Sequence, residues 1–101
     1  MLASTANKGF QLTFDNGLTI SVQFGSGNYC SNRNLSDRIS DSEMKRHVTT
    51  SHTAEVAIWG NKGKDFKFKG GELAIGWLSA DEVAEWIEKV KNAKTLNDIK
   101  Q

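Results

Sequence analysis

The sequence predicts an α+β fold, in which an antiparallel β-sheet of four to five strands forms a meander and carries one C-terminal amphipathic α-helix. Three observations predict it. Residues 10–24 alternate apolar and polar side chains around an Asn-Gly turn, as half-buried strands do. Residues 53–77 hold further short apolar segments that are separated by glycines. Residues 79–90 repeat apolar side chains at helical spacing.

Length and composition indicate a single domain over residues 1–101, with 38% hydrophobic and 25% charged residues. A net charge of +1 gives no bulk reason to bind duplex nucleic acid. The apolar segments are shorter than the roughly 20 residues of a membrane helix, so no membrane partner is expected. One cysteine and no recognisable secretion signal lead us to expect a cytoplasmic protein.

The first hairpin is predicted from seven apolar residues that alternate with polar ones: Phe10, Leu12, Phe14, Leu18, Ile20, Val22 and Phe24. Asp15, Asn16 and Gly17 separate its two strands, and Asn-Gly favours the two positive φ angles of a type I′ turn. Residues 1–8 are expected to form a flexible N-terminus.

Residues 53–59 and 64–68 are predicted to form a second hairpin, since the segment between them is rich in residues that tolerate positive φ. Residues 72–77 are then a third strand of this half. We expect Phe66 and Phe68 to share a core-facing side, and each tryptophan on its own to favour core packing. At strand ends, Trp59 and Trp77 are also candidates for a stacking platform or a subunit anchor.

The C-terminal helix is predicted to begin after Ser79, which together with Glu82 has the spacing of a capping box. Four apolar residues form its buried stripe: Val83, Trp86, Ile87 and Val90. The tail at residues 95–101 is expected to fray or to contact a neighbouring copy.

Two stretches lack strand or helix patterning, and both are candidates for function. Residues 34–52 are predicted to form a long polar loop, which is either a lid or contact arm or a solvated insertion without a role. His47 and His52 lie in it, yet with Cys30 they make too few ligands for zinc, so no metal site is expected. Cys30 is expected to be a small buried side chain rather than a nucleophile, and no catalytic residue or cofactor is predicted.

The second stretch is the glycine loop at residues 25–33, which has neither a dinucleotide-binding nor a Walker pattern. Its small residues allow close approach of a ligand, and consecutive N–H groups could form an anion-binding nest. A nucleotide-sized anion would suit its remaining side chains: Asn28, Tyr29, Ser31, Asn32 and Arg33. The alternative is structural, with glycines turning the chain, Tyr29 packing on the sheet edge and Arg33 pairing with Asp37.

Three ordered segments, FQLTFDNGLTISVQFGSGNYCSNRN, AEVAIW and GWLSADEVAEWI, resemble small bacteriophage proteins, most of all the anti-Thoeris family of signal-sequestering sponges. The resemblance implies a protein that binds cyclic nucleotide immune signals of the glycocyclic ADP-ribose type, and in some members cyclic oligonucleotides, without cleaving them. It also implies a homo-oligomer, a dimer or a hexamer, in the infected bacterial cell. Arg33 and its loop neighbours would contact phosphate and ribose, while Trp59 or Phe66 would stack on adenine.

Three other functions compete with this one. The chain could inhibit a host or defence protein directly, through an edge strand or through residues 34–52. It could be a small hydrolase that uses Cys30 or a loop histidine, or it could bind single-stranded nucleic acid through its aromatic side chains.

Overall fold

The computed structural model describes residues 1–6, 8–34 and 50–101, so most of the predicted polar loop at 34–52 lies outside it. The described residues form a five-stranded sheet in the order of the sequence, with every neighbouring pair antiparallel. The strands are β1 (Leu2–Ser4), β2 (Gly9–Thr13), β3 (Thr19–Gln23), β4 (Ala54–Trp59) and β5 (Ile75–Leu78), and helix α1 spans Ala80–Asn92. The predicted α+β meander is confirmed.

Strand β1 corrects the prediction of a flexible N-terminus. Leu2 pairs with Leu12 and Ser4 pairs with Phe10, so the segment extends the sheet by one edge strand. The sequence did not reveal it because the strand has only three residues, all exposed, and therefore lacks an alternating pattern.

The turn between β2 and β3 is wider than predicted. Phe14 N–H donates to Leu18 O, which leaves a loop of three residues, and only Gly17 among them has a positive φ (85°). This is the hairpin with a left-handed glycine in its third loop position, not the type I′ turn that would also place Asn16 in the left-handed region.

In this three-residue turn, the side chain of Asn16 is hydrogen-bonded to the C-terminal end of α1. Its Nδ2 donates to Val90 O (2.8 Å) and Ala93 O (2.6 Å), while its Oδ1 accepts from Leu18 N (2.9 Å). The last carbonyls of a helix have no partner within the helix. Asn16 therefore caps the C-terminus of α1 from a hairpin 77 residues away in sequence.

The second half of the sheet differs from the predicted hairpin. Residues 64–68 do not form a ladder strand: one bridge joins Asp65 to Trp59, and Phe66 N–H donates to Ile58 O. The first half of the outer edge of β4 pairs instead with β5, through an irregular register between Ala54 and Val56. The predicted third strand of this half is therefore the one that completes the sheet.

Helix α1 begins as predicted. Ser79 Oγ accepts from Glu82 N (3.2 Å) and Glu82 Oε1 accepts from Ser79 N (3.0 Å), which completes the capping box. Val83, Trp86 and Val90 are buried against β3, β4 and β5. Within the described residues, no helix has the length and apolar character to cross a membrane.

An aromatic cluster closes the core beside the helix. Phe66 and Phe68 are buried and meet Trp86 edge-to-face, with ring centroids 6.1 and 5.1 Å from the indole. Ile99 is buried as well, and Leu96 packs on the same core. The C-terminal tail thus packs on its own domain, which corrects the expectation that it frays; the alternative of a contact with a neighbouring copy stays a prediction.

The side chains on one face of β2 and β3 are polar, and several of them bond to one another. Thr19 and Ser21 are buried between the neighbouring strands, and the Thr19 hydroxyl bonds that of Thr13 at 2.9 Å. Gln23 donates to both Ser21 Oγ (3.1 Å) and Thr5 Oγ1 (2.8 Å). These side chains satisfy one another, so hydroxyls and an amide line the sheet without unpaired polar groups.

Candidate functional site

The glycine loop follows β3 and folds into successive turns. Asn28 N–H donates to Gly25 O, Cys30 N–H to Asn28 O, Arg33 N–H to Cys30 O and Gly27 N–H to Arg33 O, at 2.9 to 3.3 Å. These N–H groups bond to the loop's own carbonyls. The predicted anion-binding nest of free, consecutive N–H groups is therefore not formed by them.

Two predicted ligand residues hold the loop to the neighbouring chain. Asn32 is buried, and its Nδ2 donates to Phe24 O (2.9 Å) and to Thr50 O (2.7 Å). Ser31 bonds Thr53 Oγ1 through both its N–H (2.9 Å) and its hydroxyl (3.0 Å). Their geometry positions the loop and leaves little polar capacity for a ligand.

Glu55 on β4 supports the loop from below. Its carboxylate accepts from Tyr29 N (3.3 Å) and from Asn28 Nδ2 (3.4 Å), while Asn28 Oδ1 accepts from Gly25 N (3.0 Å). No local pattern predicts this contact, because Glu55 lies 26 positions after Tyr29 and 27 positions after Asn28 in the sequence. A carboxylate beneath the loop also repels anions there, so an anionic group would be bound on the outer side of the loop.

Cys30 is fully buried, and its thiol faces Gly25 O at 3.6 Å. The prediction of a small buried side chain is confirmed. His52 is exposed, and His47 lies outside the described residues. In the described part of the chain, no three His, Cys, Asp or Glu side chains come together in a way that could hold a metal ion.

Tyr29 and Arg33 form the outer surface of the loop. The Arg33 guanidinium lies over the Tyr29 ring, with Cζ 4.6 Å from the centroid, and both side chains are exposed. Arg33 makes no ion pair with any residue that the structure describes, and the predicted alternative partner, Asp37, lies outside those residues. The flat face of the guanidinium packs on the Tyr29 ring, so the N–H groups along its edge can donate hydrogen bonds to an acceptor outside the protein.

Trp77 is joined to Tyr29 through its backbone, and its conformation is unusual. It is 55% exposed and has φ 59°, a left-handed conformation that bulky residues rarely adopt. Its N–H donates to Tyr29 O at 2.8 Å. A Cβ on Gly76 would lie only 2.4 Å from Tyr29 Cβ, so β5 and the loop meet in close contact there. The expectation that Trp77 packs in the core is wrong.

Trp59 and Phe66 do not join this surface within one copy of the chain. Glu55, which supports the loop, precedes Trp59 by four residues, roughly 13 Å along β4. Phe66 is buried beside Trp86 at the Trp59 end of the strand. Of the seven predicted ligand residues, the five in the loop lie together and these two lie apart.

We call the exposed side chains of Tyr29, Arg33 and Trp77 the loop surface. Tyr29 and Arg33 belong to the braced loop and Trp77 to β5, so the fold defines the chain as a small α+β protein that exposes two aromatic rings and one cation. Comparison with family models, curated proteins and solved structures finds no match to this chain.

Proposed function

We propose that the chain is a bacteriophage anti-defence protein that binds cyclic nucleotide immune signals and sequesters them intact. The ligand is of the glycocyclic ADP-ribose type, with cyclic oligonucleotides as a second class. The observation that carries the proposal is the Arg33 guanidinium, exposed, stacked on Tyr29 and without an ion-pair partner among the described residues.

The loop surface supplies the two interactions that a nucleotide requires. Arg33 offers a planar fork of N–H donors, which suits two oxygens of one phosphate. Tyr29 and Trp77 are 48% and 55% exposed, and either ring offers a face for an adenine base. The base would therefore stack on aromatic carbon while the phosphate lies at the guanidinium edge.

The roles of the other loop residues follow from their contacts. Asn28, Ser31 and Asn32 bond to the protein, so we assign them to holding the loop rather than to direct ligand contact. A braced loop loses little entropy when a ligand binds, which favours affinity. Sequestration depends on that affinity and on slow release, and requires no nucleophile.

A homo-oligomer, a dimer or a hexamer, would complete the site. The loop surface is open on one copy of the chain, whereas small-molecule sites usually enclose most of the ligand. A second copy over Tyr29 and Trp77 would cover the other face of the base. We place this assembly in the cytoplasm of the infected bacterium, where the signal is made.

The test compares Arg33→Gln with Lys62→Gln, which removes an exposed cation from the turn after β4. Calorimetric titration with glycocyclic ADP-ribose should show at least tenfold weaker binding for Arg33→Gln and little change for Lys62→Gln, since a charged hydrogen bond is worth roughly 1.5–3 kcal/mol. Both variants should melt as the unchanged protein does. Heat-denaturing the complex should release the ligand intact.

Equal affinity in both variants would remove the loop surface from the site, and a cleaved product would make the chain an enzyme. If no cyclic nucleotide binds at all, the sequestration proposal fails.

A second candidate function is direct inhibition of a host or defence protein. It is favoured by β1, an edge strand whose Leu2 is 81% exposed and whose outer backbone groups can pair with a partner strand. The N–H of Ser4 points away from β2, since Met1 and Thr5 on either side of this pairing make the ladder bonds to that strand and the residue after it. Stoichiometric capture of one host protein, lost when Ser4 is replaced by proline, would favour it over sequestration. Proline removes the backbone donor at that position.

A further inference from the structure

A cleft of about 660 Å³ lies at the end of the sheet opposite the loop surface. The turn before β3, the segment after β4 and the C-terminal tail form its walls. Its volume is within the range of small-molecule sites. None of its lining residues belongs to the loop surface, so this cleft is a separate feature of the molecule.

The floor of the cleft is apolar. Leu18, Phe66 and Ile99 are buried beneath it, and Leu96 is half-buried beside them. Gly60 brings the backbone close to this floor, since a Cβ there would lie 3.4 Å from both Leu18 and Leu96 side chains. A flat or branched apolar group could therefore rest on side-chain carbon without displacing a polar group.

The rim of the cleft is positively charged. Lys64, Lys67 and Lys94 line it, against the single carboxylate of Asp65. All three lysines are exposed, and the described residues provide no ion pair for any of them. Like charges around one concavity raise its positive potential and attract anions.

The negative end of α1 does not cancel this potential. Asn16 lines the cleft, and its Nδ2 donates to the carbonyls of Val90 and Ala93 at the helix C-terminus. Asp98 accepts from Thr95 N–H and hydroxyl in the tail, so its charge is partly satisfied locally. The excess of lysine charge is left at the rim.

We propose that this lysine cleft binds a small organic anion in which a phosphate or carboxylate is attached to an apolar ring or chain. The apolar part lies on Leu18 and Leu96, and the anionic group lies between the lysines. This site does not depend on the proposed function.

Titration of the ¹⁵N-labelled protein with phenyl phosphate, benzoate, inorganic phosphate and phenol tests it by NMR. Phenyl phosphate should shift the amides of Gly60, Leu96 and Ile99, with a dissociation constant on the order of 1 mM, as expected for a ligand of its size. Benzoate distinguishes a carboxylate from a phosphate preference. Inorganic phosphate and phenol should each bind at least fivefold more weakly, since each lacks one half of the recognised chemistry.

The variant Lys64→Gln with Lys94→Gln should weaken phenyl phosphate binding fivefold or more. Lys69→Gln removes an exposed lysine outside the cleft and should leave binding unchanged, as should Arg33→Gln. Absence of shifts at 10 mM ligand, as a rough limit, would overturn the proposal. Shifts spread over the surface, equal loss in Lys69→Gln, or equal affinity for inorganic phosphate would also overturn it.

Discussion

Trp77 is the residue at which local sequence and tertiary structure diverge most. The sequence offers an aromatic at the end of an apolar segment, for which core packing is the usual outcome. The structure turns it outward in a left-handed conformation that is fixed by its bond to Tyr29 O. Such strain persists where the surrounding structure imposes it, and it is enriched at functional sites. No periodicity could reveal this, because the cause is the contact between β5 and a loop 48 residues earlier.

A matched pair of substitutions measures that strain. In an ordinary strand, Ala is more stable than Gly by about 0.5–1 kcal/mol. At Trp77 the order should reverse, with Trp77→Gly more stable than Trp77→Ala by about 1 kcal/mol, because only glycine takes φ 59° without cost. Urea denaturation of both variants measures the difference. If Trp77→Ala proves the more stable variant, the left-handed conformation is not maintained.

Asn16 combines a turn with a distant helix cap, and its replacement tests both. Asn16→Ala should lower the free energy of unfolding by about 1–2 kcal/mol, since it removes the side-chain donor that bonds the carbonyls of Val90 and Ala93. In a domain of this size that lowers Tm by about 5–10 °C. Scanning calorimetry gives the value, and Asn97→Ala, an exposed asparagine of the tail, is the control.

Asn16→Asp sharpens the same test through pH. Its carboxylate keeps the acceptor for Leu18 N but faces carbonyl oxygens, so the folded state raises the pKa of this carboxyl. The sign follows: the folded protein holds the proton more tightly, so stability is present at low pH and is lost as pH rises through the folded pKa. The deficit relative to the unchanged protein should therefore be larger at pH 7 than near pH 4. A constant deficit would contradict the capping geometry.

At the scale of elements, local sequence patterns predict the strands and the helix that are determined by neighbouring residues. The strands around Asn16 and the capped helix α1 follow from alternation, from helical spacing and from Ser79 with Glu82. Residues 64–68 alternate as a strand does, yet Phe66 and Phe68 are drawn toward Trp86 and the ladder with β4 is lost after one bridge. Burial of two aromatic rings outweighs a few sheet hydrogen bonds, and no local pattern measures that competition.

The sequence predicts the position of the candidate site but not which of its side chains are exposed, because exposure depends on contacts between distant residues. The loop was recognised from composition, since small and polar residues without periodicity indicate irregular structure. Which of its side chains face solvent depends on Glu55, Thr53 and β5, all distant in sequence. Sequence alone therefore named Tyr29 and Arg33 but could not separate them from Asn28, Ser31 and Asn32, which brace the loop.

At the scale of the whole molecule, stability should fall from the centre of the sheet toward β1. Helix α1 packs on β3, β4 and β5, where Ile20, Val56 and Ile58 are essentially inaccessible, whereas β1 is short and exposed. Local opening is easiest where few apolar contacts are lost. Native-state hydrogen exchange should thus show the slowest amides in β3 and β4, and the fastest sheet amides in β1.

Repeating the exchange across protein concentrations distinguishes the ways in which β1 could be used. If copies associate by pairing β1 with β1, antiparallel and edge to edge, its outward N–H groups gain partners and their exchange slows as concentration rises. If copies associate over the loop surface, Tyr29 and Trp77 amides slow instead and β1 is unchanged. Equal protection of β1 and β3 at the lowest concentration would contradict the stability gradient. Strand β1 has only three residues and α1 packs on other strands, so in a single copy its amides should exchange faster than those of β3.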